Sequence, residues 1–224
     1  IRKWSFDNMP EKYDDHLLRS VPLYKESQNL IIKLSSFFVK DNYNYEIGCA
    51  NGNIIGKIAK EYKKFDNAKF IGIDESLNLI KEAKNRFKNI KNVNFIHMDA
   101  SLYKFKKTNF VIIHYCLQFM SYESRVTVLK NVYKNLMKGG GTVIFEKNLM
   151  EDSYSQEVFT GVYSDFKFSN SYSAEEIIKK TVSLRSVMNC LSVEDNINLF
   201  KKAGFTKIYN FFTWGPFRGF LCVK

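Results

Sequence analysis

The stretch Asn44-Tyr45-Glu46-Ile47-Gly48-Cys49-Ala50-Asn51-Gly52 constrains this chain more than any other. A run of strand character ends at Gly48, and a helical pattern starts near Asn53. Two glycines occupy the turn between them. Glycine has no Cβ, so the chain can turn tightly and a ligand can approach bare main chain. Glu46 stands just before the turn. One helix later, Lys69-Phe70-Ile71-Gly72-Ile73-Asp74-Glu75 reads as a second strand ending in two carboxylates. A βαβ nucleotide unit carries its ribose-binding acid at that position.

The turn reads Glu-x-Gly-Cys-x-x-Gly and lacks the third glycine of G-x-G-x-x-G. A pyrophosphate needs that closer approach, and Glu46 repels one. A nucleoside with a cationic amino-acid tail suits both features. The stretch resembles the first motif of class I S-adenosylmethionine (SAM)-dependent methyltransferases. That resemblance implies SAM as cofactor, with Gly48 at its methionine end, Glu46 suited to its amino cation, and Cys49, Ala50 and Gly52 among the residues that bind it. Asp74 and Glu75 fall at the ribose.

The remaining pattern alternates strands with helices. Val93–Asp99 reads as a third strand ending in a carboxylate, and Phe110–Cys116 as a fourth, apolar enough to be buried on both faces. A helix over Glu123–Met137 is expected to break at Gly139-Gly140-Gly141, before a fifth strand, Thr142–Glu146. Ser192 opens a helix that Gly204 closes, and two strands follow, Phe205–Thr213 and Gly219–Val223. The expected fold is α/β: a doubly wound, mostly parallel seven-stranded sheet in one domain over 1–224. Residues 1–40 read as cap helices. They include Trp4 and Phe6, a helix opened by Pro22, and an apolar face of Leu30, Ile31, Leu34, Phe37 and Phe38. Residues 151–190 read as a helical lid over the carboxyl edge of the sheet.

Composition narrows the function classes. The 224 residues, 45% of them apolar, suffice for a packed core. The longest apolar run, Phe110–Met120, is shorter than the roughly 20 residues a membrane span needs. No signal peptide is visible, and four scattered cysteines without C-x-x-C argue against a disulfide framework or a zinc site. A reducing cytoplasm is the expected setting. The net charge is +11, with lysines at helical spacing. Solvated helix faces account for them, or a basic surface that meets RNA or an acidic partner.

Several further motifs occur together: Ser20-Val21-Pro22-x-Tyr24, Leu117-Gln118-Phe119, Glu146-Lys147, Asp165-Phe166-Lys167-x-x-Asn170-x-Tyr172-Ser173 and Ser192-Val193-Glu194. As a set they resemble the carboxy-SAM synthase family, a branch with the class I methyltransferase fold, over essentially the whole chain. The family makes carboxy-SAM from SAM and prephenate for wobble-uridine modification in tRNA. The resemblance places Tyr24, Gly48, Cys49, Ala50, Asp74, Glu75, Asp99 and Ala100 against SAM, and implies a homodimer.

Two departures bear on chemistry. His114 replaces a family Asn at the end of the fourth strand, and Thr181 replaces the Arg that grips the added carboxylate. Threonine offers no charge, and an unpaired buried carboxylate costs about 2–5 kcal/mol. Lys180 and Arg185 are the candidate replacements. The first expectation is therefore methyl transfer from SAM to a small-molecule acceptor. His114 and Tyr24 are the candidate catalytic residues, with His114 either a base of pKa about 6.5 or a hydrogen-bonding partner of SAM. Arg19, Tyr172, Thr181, Arg185, Trp214 and Arg218 are the candidate substrate contacts. His16 and His97 read as structural or surface residues. Carboxy-SAM synthesis is the alternative. A non-catalytic RNA-associated protein, supported by charge alone, is the third reading. Nucleic acid is not expected as a direct substrate, and no metal is expected.

Overall fold

The computed structural model describes residues 13–63 and 67–224. Trp4 and Phe6, expected in the cap, lie outside the described residues. Seven strands form one sheet: β1 (Tyr43–Ile47), β2 (Lys69–Asp74), β3 (Val93–His97), β4 (Thr108–His114), β5 (Leu136–Lys147), β6 (Lys207–Trp214) and β7 (Phe217–Val223). Their order is β3-β2-β1-β4-β5-β7-β6. The first five are parallel, and β7 runs antiparallel between β5 and β6. The strand order reverses between β1 and β4. In open α/β sheets the crevice outside the carboxyl ends at such a point is where ligands bind.

Helices cover both faces. Those before β4 are α1 (Tyr13–Ser20), α2 (Tyr24–Phe38), α3 (Asn53–Glu61) and α4 (Leu77–Arg86). After it come α5 (Tyr122–Asn135), α6 (Ser153–Ser169), α7 (Ala174–Ser183) and α8 (Val193–Ala203). One core layer packs Ile31, Ile55, Ile58 and Ile80 of α2–α4 against Phe70, Phe110 and Phe145. The other packs Val128, Val132 and Phe200 of α5 and α8 against Ile47, Ile113 and Phe220. Among the described residues, no helix is long and apolar enough to cross a membrane.

Local chemistry explains the helix ends. Ser76, Ser121, Asp152, Ser173 and Ser192 each accept a backbone N–H of the first turn they cap. Gly204 ends α8 at φ 119, where a Cβ would lie 2.5 Å from the Tyr133 ring.

Three expectations need correction. Gly139-Gly140-Gly141 does not break a helix: α5 ends at Asn135, and β5 already runs through the glycines. The pairing jumps from Thr108↔Leu136 to Phe110↔Gly141, and Gly139, at φ 78, turns the extra residues outward. Pro22 does not open α2, which starts at Tyr24 after Leu23 in the left-handed region. The buried face of α2 is Tyr24, Ser27, Gln28, Ile31 and Ser35, whereas Phe37 is 73% exposed. The helix turns small polar side chains inward because its inner neighbours include the buried His114.

Candidate functional site

The glycine turn brings the first two strands to one point. The N–H groups of Gly48 and Cys49 both donate to Ile73 O, at 2.8 and 3.1 Å. Asp74 Oδ2 accepts the Ala50 N–H at 2.8 Å, and Oδ1 accepts the Ser76 N–H at 2.8 Å. The Asp74 carboxylate is thus fixed at the mouth of the turn. Asp99, after β3, accepts the Ser101 N–H at 2.7 Å. The glycines serve the chain's own packing as well as any ligand. A Cβ at Gly48, φ 70, would meet Cys116 Sγ at 2.4 Å, and one at Gly52, φ 74, would meet the Phe95 ring at 2.5 Å. Ala50 (φ 46) and Tyr115 (φ 56) are non-glycine residues in the left-handed region, both at the cleft. Such strain concentrates at functional sites.

Above this edge lies a cleft of about 840 Å³. Its floor holds Gly48, Ala50, Asp74, Glu75, Asp99, Ala100 and His114, with Tyr24 on one wall. Tyr172, Thr181 and Arg185 line it from the α6–α7 side. The structure thus brings together these sequence-selected residues. It leaves others outside. Glu46 is 2% exposed, and its Oε2 accepts the Ile55 N–H at 2.9 Å. It faces a small separate hollow beneath the turn, and burial raises its pKa to about 8. Cys49 turns its buried thiol toward Gly72, and Gly52 packs under Phe95, so neither lines the cleft. Trp214 packs on Phe166 and Phe217, and Arg218 donates to Thr213 Oγ1 at 2.8 Å. Both sit on the last hairpin, outside the cleft. Arg19 lies outside it too and acts as a clamp. It donates to Asn170 O at 2.9 Å and Ser171 O at 2.7 Å, and its guanidinium lies 4.5 Å from the centroid of the Tyr172 ring.

His114 is buried, with Nε2 3.0 Å from Ser27 Oγ and its ring 5.3 Å from that of Tyr24. Burial lowers its pKa to about 3, so it is neutral at physiological pH. A group of that basicity is a hydrogen-bonding partner and a weak general base. Burial raises the Tyr24 phenol well above its ordinary range, so it stays protonated.

At the other end of the cleft, sequence reasoning named Lys180 and missed Lys147 and Lys167. Lys147, Lys167 and Lys180 all line it, from β5, α6 and α7. The Tyr163 ring lies between two of them, 4.5 Å from Lys147 Nζ and 4.3 Å from Lys167 Nζ. Burial, then Lys167 and Lys147, lowers the Lys180 pKa to about 7. Burial and Lys147 lower that of Lys167 to about 8. Glu176 also lines this end, and it caps α7 by accepting the Ser173 N–H at 2.8 Å. Lys147 and Lys167 stand inside Glu146-Lys147 and Asp165-Phe166-Lys167. Those motifs were the available signal, hidden by a lysine-rich background. His16, read as structural, also lines the cleft. Its Nδ1 is 2.9 Å from Tyr172 Oη, and its Nε2 meets Lys180 Nζ.

The cleft is therefore bipolar, with carboxylates and bare backbone at one end and crowded cations at the other. Comparisons with known proteins bear on the fold and the family. Residues 45–140 match the family described as a methyltransferase domain. Human N-acetylserotonin methyltransferase, solved with SAM, superposes with a TM-score of 0.61 at 18% identity, over 93% of this chain and 54% of that one. The N-methyltransferase NodS from Bradyrhizobium japonicum, with S-adenosyl-L-homocysteine, gives 0.58 at 16% identity, over 90% and 86%. These likenesses show the Rossmann-like class I methyltransferase fold. Carboxy-S-adenosyl-L-methionine synthase of Staphylococcus epidermidis is 35% identical over 99% of this chain and 97% of its own length. The synthases of Nautilia profundicola and Campylobacter jejuni are 31% and 30% identical, each over 100% of this chain and 95% of theirs. A full-length match of this strength, on a chain that already carried the family's motifs, means that this protein belongs to the carboxy-S-adenosyl-L-methionine synthase family.

Proposed function

We propose that this SAM-dependent enzyme seats SAM at the acidic end of the cleft and a carboxylate-bearing small molecule at the basic end. Its reaction is then the one its relatives are named for, formation of carboxy-SAM. The bipolar cleft is the observation that carries this reading. The residues present fit SAM. Asp74, held by the Ala50 and Ser76 N–H groups, lines the cleft as a carboxylate, the group that accepts from ribose hydroxyls. The acids suit a ligand with cationic groups. Gly48 and Ala50 offer main chain to the methionine end, and Asp99 and Ala100 flank the base. SAM would supply a one-carbon unit on its sulfonium. Formation of carboxy-SAM would keep the sulfur–carbon bond and exchange one methyl hydrogen for the carboxyl that prephenate loses, the proton leaving with the hydroxide of prephenate as water. Tyr24 and neutral His114 hold that part of the cleft dry and aligned.

The added carboxylate of carboxy-SAM needs a cation. Thr181 supplies none, but Lys147, Lys167, Lys180 and Arg185 line the same cleft, so its basic end does not depend on residue 181. Helices α6 and α7 act as a lid. Arg19, Tyr163 and Tyr172 tie them to α1, with Tyr163 Oη donating to Ser20 O at 2.7 Å.

Methyl transfer to a small anionic acceptor is the second reading, favoured by Thr181. It suits acceptors that are already ionised, because His114 is too weakly basic to deprotonate one. Mass spectrometry of nucleosides after incubation with SAM, with and without prephenate, separates the two. Carboxy-SAM formed only with prephenate is the expected result. S-adenosylhomocysteine with a methylated acceptor, and no carboxy-SAM, would contradict it.

A homodimer belongs to this reading. Helices α6 and α7 contain no buried residue, and Tyr154, Val158 and Val162 form an exposed apolar stripe at four-residue spacing. Light scattering at micromolar concentration should give twice the chain mass. A monomer would sink this part.

A further inference from the structure

The lysines are not spread evenly. The fold gathers many of them at the amino edge of the sheet, opposite the cleft. Lys40 precedes β1, and the Lys69 N–H donates to Asn42 O at 2.9 Å where β2 starts beside it. Lys106 and Lys107 lead into β4, and Lys106 Nζ donates to Tyr43 Oη at 3.1 Å. Lys138 is in the bulged start of β5, whose Gly139 N–H donates to Lys224 O at 2.7 Å. Lys207 opens β6 opposite Val223. These six side chains, Lys40, Lys69, Lys106, Lys107, Lys138 and Lys207, are exposed, and each stands in a loop or at a strand end.

A helix C-terminus attracts cations through its dipole, which explains a lysine in a last turn. None of the six sits inside a helix, but Lys107 Nζ donates to Lys134 O in the last turn of α5 at 3.5 Å and Lys40 follows the end of α2, so the dipole accounts for those two. Acids do not neutralise the six. Among the described residues the ion pairs are Arg19–Asp15, Arg86–Asp14, Arg86–Glu82 and Lys179–Glu175, none at this edge. Among the described residues, Asp41 is an acid interleaved with the lysines there. The Tyr43 ring lies between Lys69 Nζ at 5.5 Å and Lys106 Nζ at 5.0 Å. Phe37 is 73% exposed, next to Phe38, whose ring stacks on Phe110 near the start of β4.

We propose that the amino edge of the sheet binds the phosphate backbone of single-stranded RNA. A lysine row that no ion pair among the described residues neutralises matches phosphates in charge. An exposed aromatic beside them offers a base a stacking surface, which an acidic protein would not need. The edge is remote from the cleft, so binding there leaves the SAM site open. RNA is a partner here and not the group being modified.

The test is fluorescence anisotropy of the full chain with a labelled single-stranded oligouridine, from about 50 to 200 mM salt. Each phosphate contact should contribute about −0.7 to the slope of log affinity against log salt, giving a slope of about −2 or steeper. Lys69→Glu/Lys106→Glu/Lys107→Glu should weaken binding at least about tenfold and flatten the slope. Lys25→Glu/Lys81→Glu/Lys179→Glu changes net charge equally elsewhere and should cost less than about threefold. If the first triple variant does not fold, the Lys→Gln triple carries the same test. Phe37→Ala should weaken binding about fivefold with the slope unchanged. No binding at the lowest salt would overturn the proposal, as would equal losses in both triples, which would mean net charge alone. Polyglutamate binding at this edge without RNA binding would overturn it in favour of an acidic protein partner. A Phe37→Ala variant that binds like wild type would remove the reason to prefer RNA.

Discussion

The Ala50 N–H donates to Asp74 Oδ2 across 2.8 Å and 24 positions of sequence, tying the glycine turn to the end of the second strand. One carboxylate thereby both shapes the turn and faces the cleft. Asp74→Ala should weaken SAM binding by about 1–3 kcal/mol, the cost of losing hydrogen bonds to a charged group. Asp74→Asn keeps one acceptor oxygen and should cost less. Calorimetry with SAM checks both, and unchanged affinity in Asp74→Ala would remove SAM from this end of the cleft.

The two ends of the cleft should separate under mutation. Lys167→Met/Lys180→Met should lower affinity for carboxy-SAM by about 2–4 kcal/mol while leaving SAM affinity nearly as it was. Equal losses for both ligands would mean that the lysines only support the fold.

Much of this arrangement could be read before the fold was known. The glycine turn, Asp74 and Asp99 are local signals, because a strand end and a turn are written in consecutive residues. The lysine cluster is not local. Lys147, Lys167 and Lys180 come from a strand and two helices; the family resemblance points to Lys180, but the other two look like solvated charges in their own segments. The places of Glu46 and Trp214 were equally hidden. Nothing near Glu46 in sequence shows that its oxygen turns under the helix to Ile55, and Trp214 is drawn away by Phe166, 48 positions earlier.

Anion binding should depend on pH. Lys180, with a pKa lowered to about 7, is protonated below that pH and neutral above it. Affinity for a carboxylate should fall as pH rises from about 6 to 9, with Lys167 adding to the loss near 8. A titration of carboxy-SAM affinity that stays flat over this window would count against a role for these lysines.

Stability should carry a pH signature of opposite origin. Burial raises Glu46 and Glu146 from 4.5 to about 8, so the folded chain holds protons that the unfolded chain releases. Stability from these groups is complete below about 4.5 and falls as pH rises to about 8. Glu46→Gln/Glu146→Gln should flatten that part of the profile in denaturant melts. An unchanged slope would mean that neither carboxyl is buried in neutral form.

Residue 181 gives a sharper expectation. Because Lys180 and Arg185 line the cleft beside it, Thr181→Arg should raise carboxy-SAM affinity by less than about 1 kcal/mol, a further guanidinium meeting existing cations. Arg185→Ala should weaken it by more. A large gain in Thr181→Arg would mean that the basic end is incomplete without the family Arg.

The most direct test compares the affinity of the unmodified protein for carboxy-SAM and for SAM, by calorimetry near pH 6.5, where burial and the neighbouring lysines still leave Lys180 charged. The bipolar cleft predicts a preference for carboxy-SAM of at least about tenfold, close to 1.4 kcal/mol, from the one added carboxylate. Equal affinity, or a preference for SAM, would contradict it.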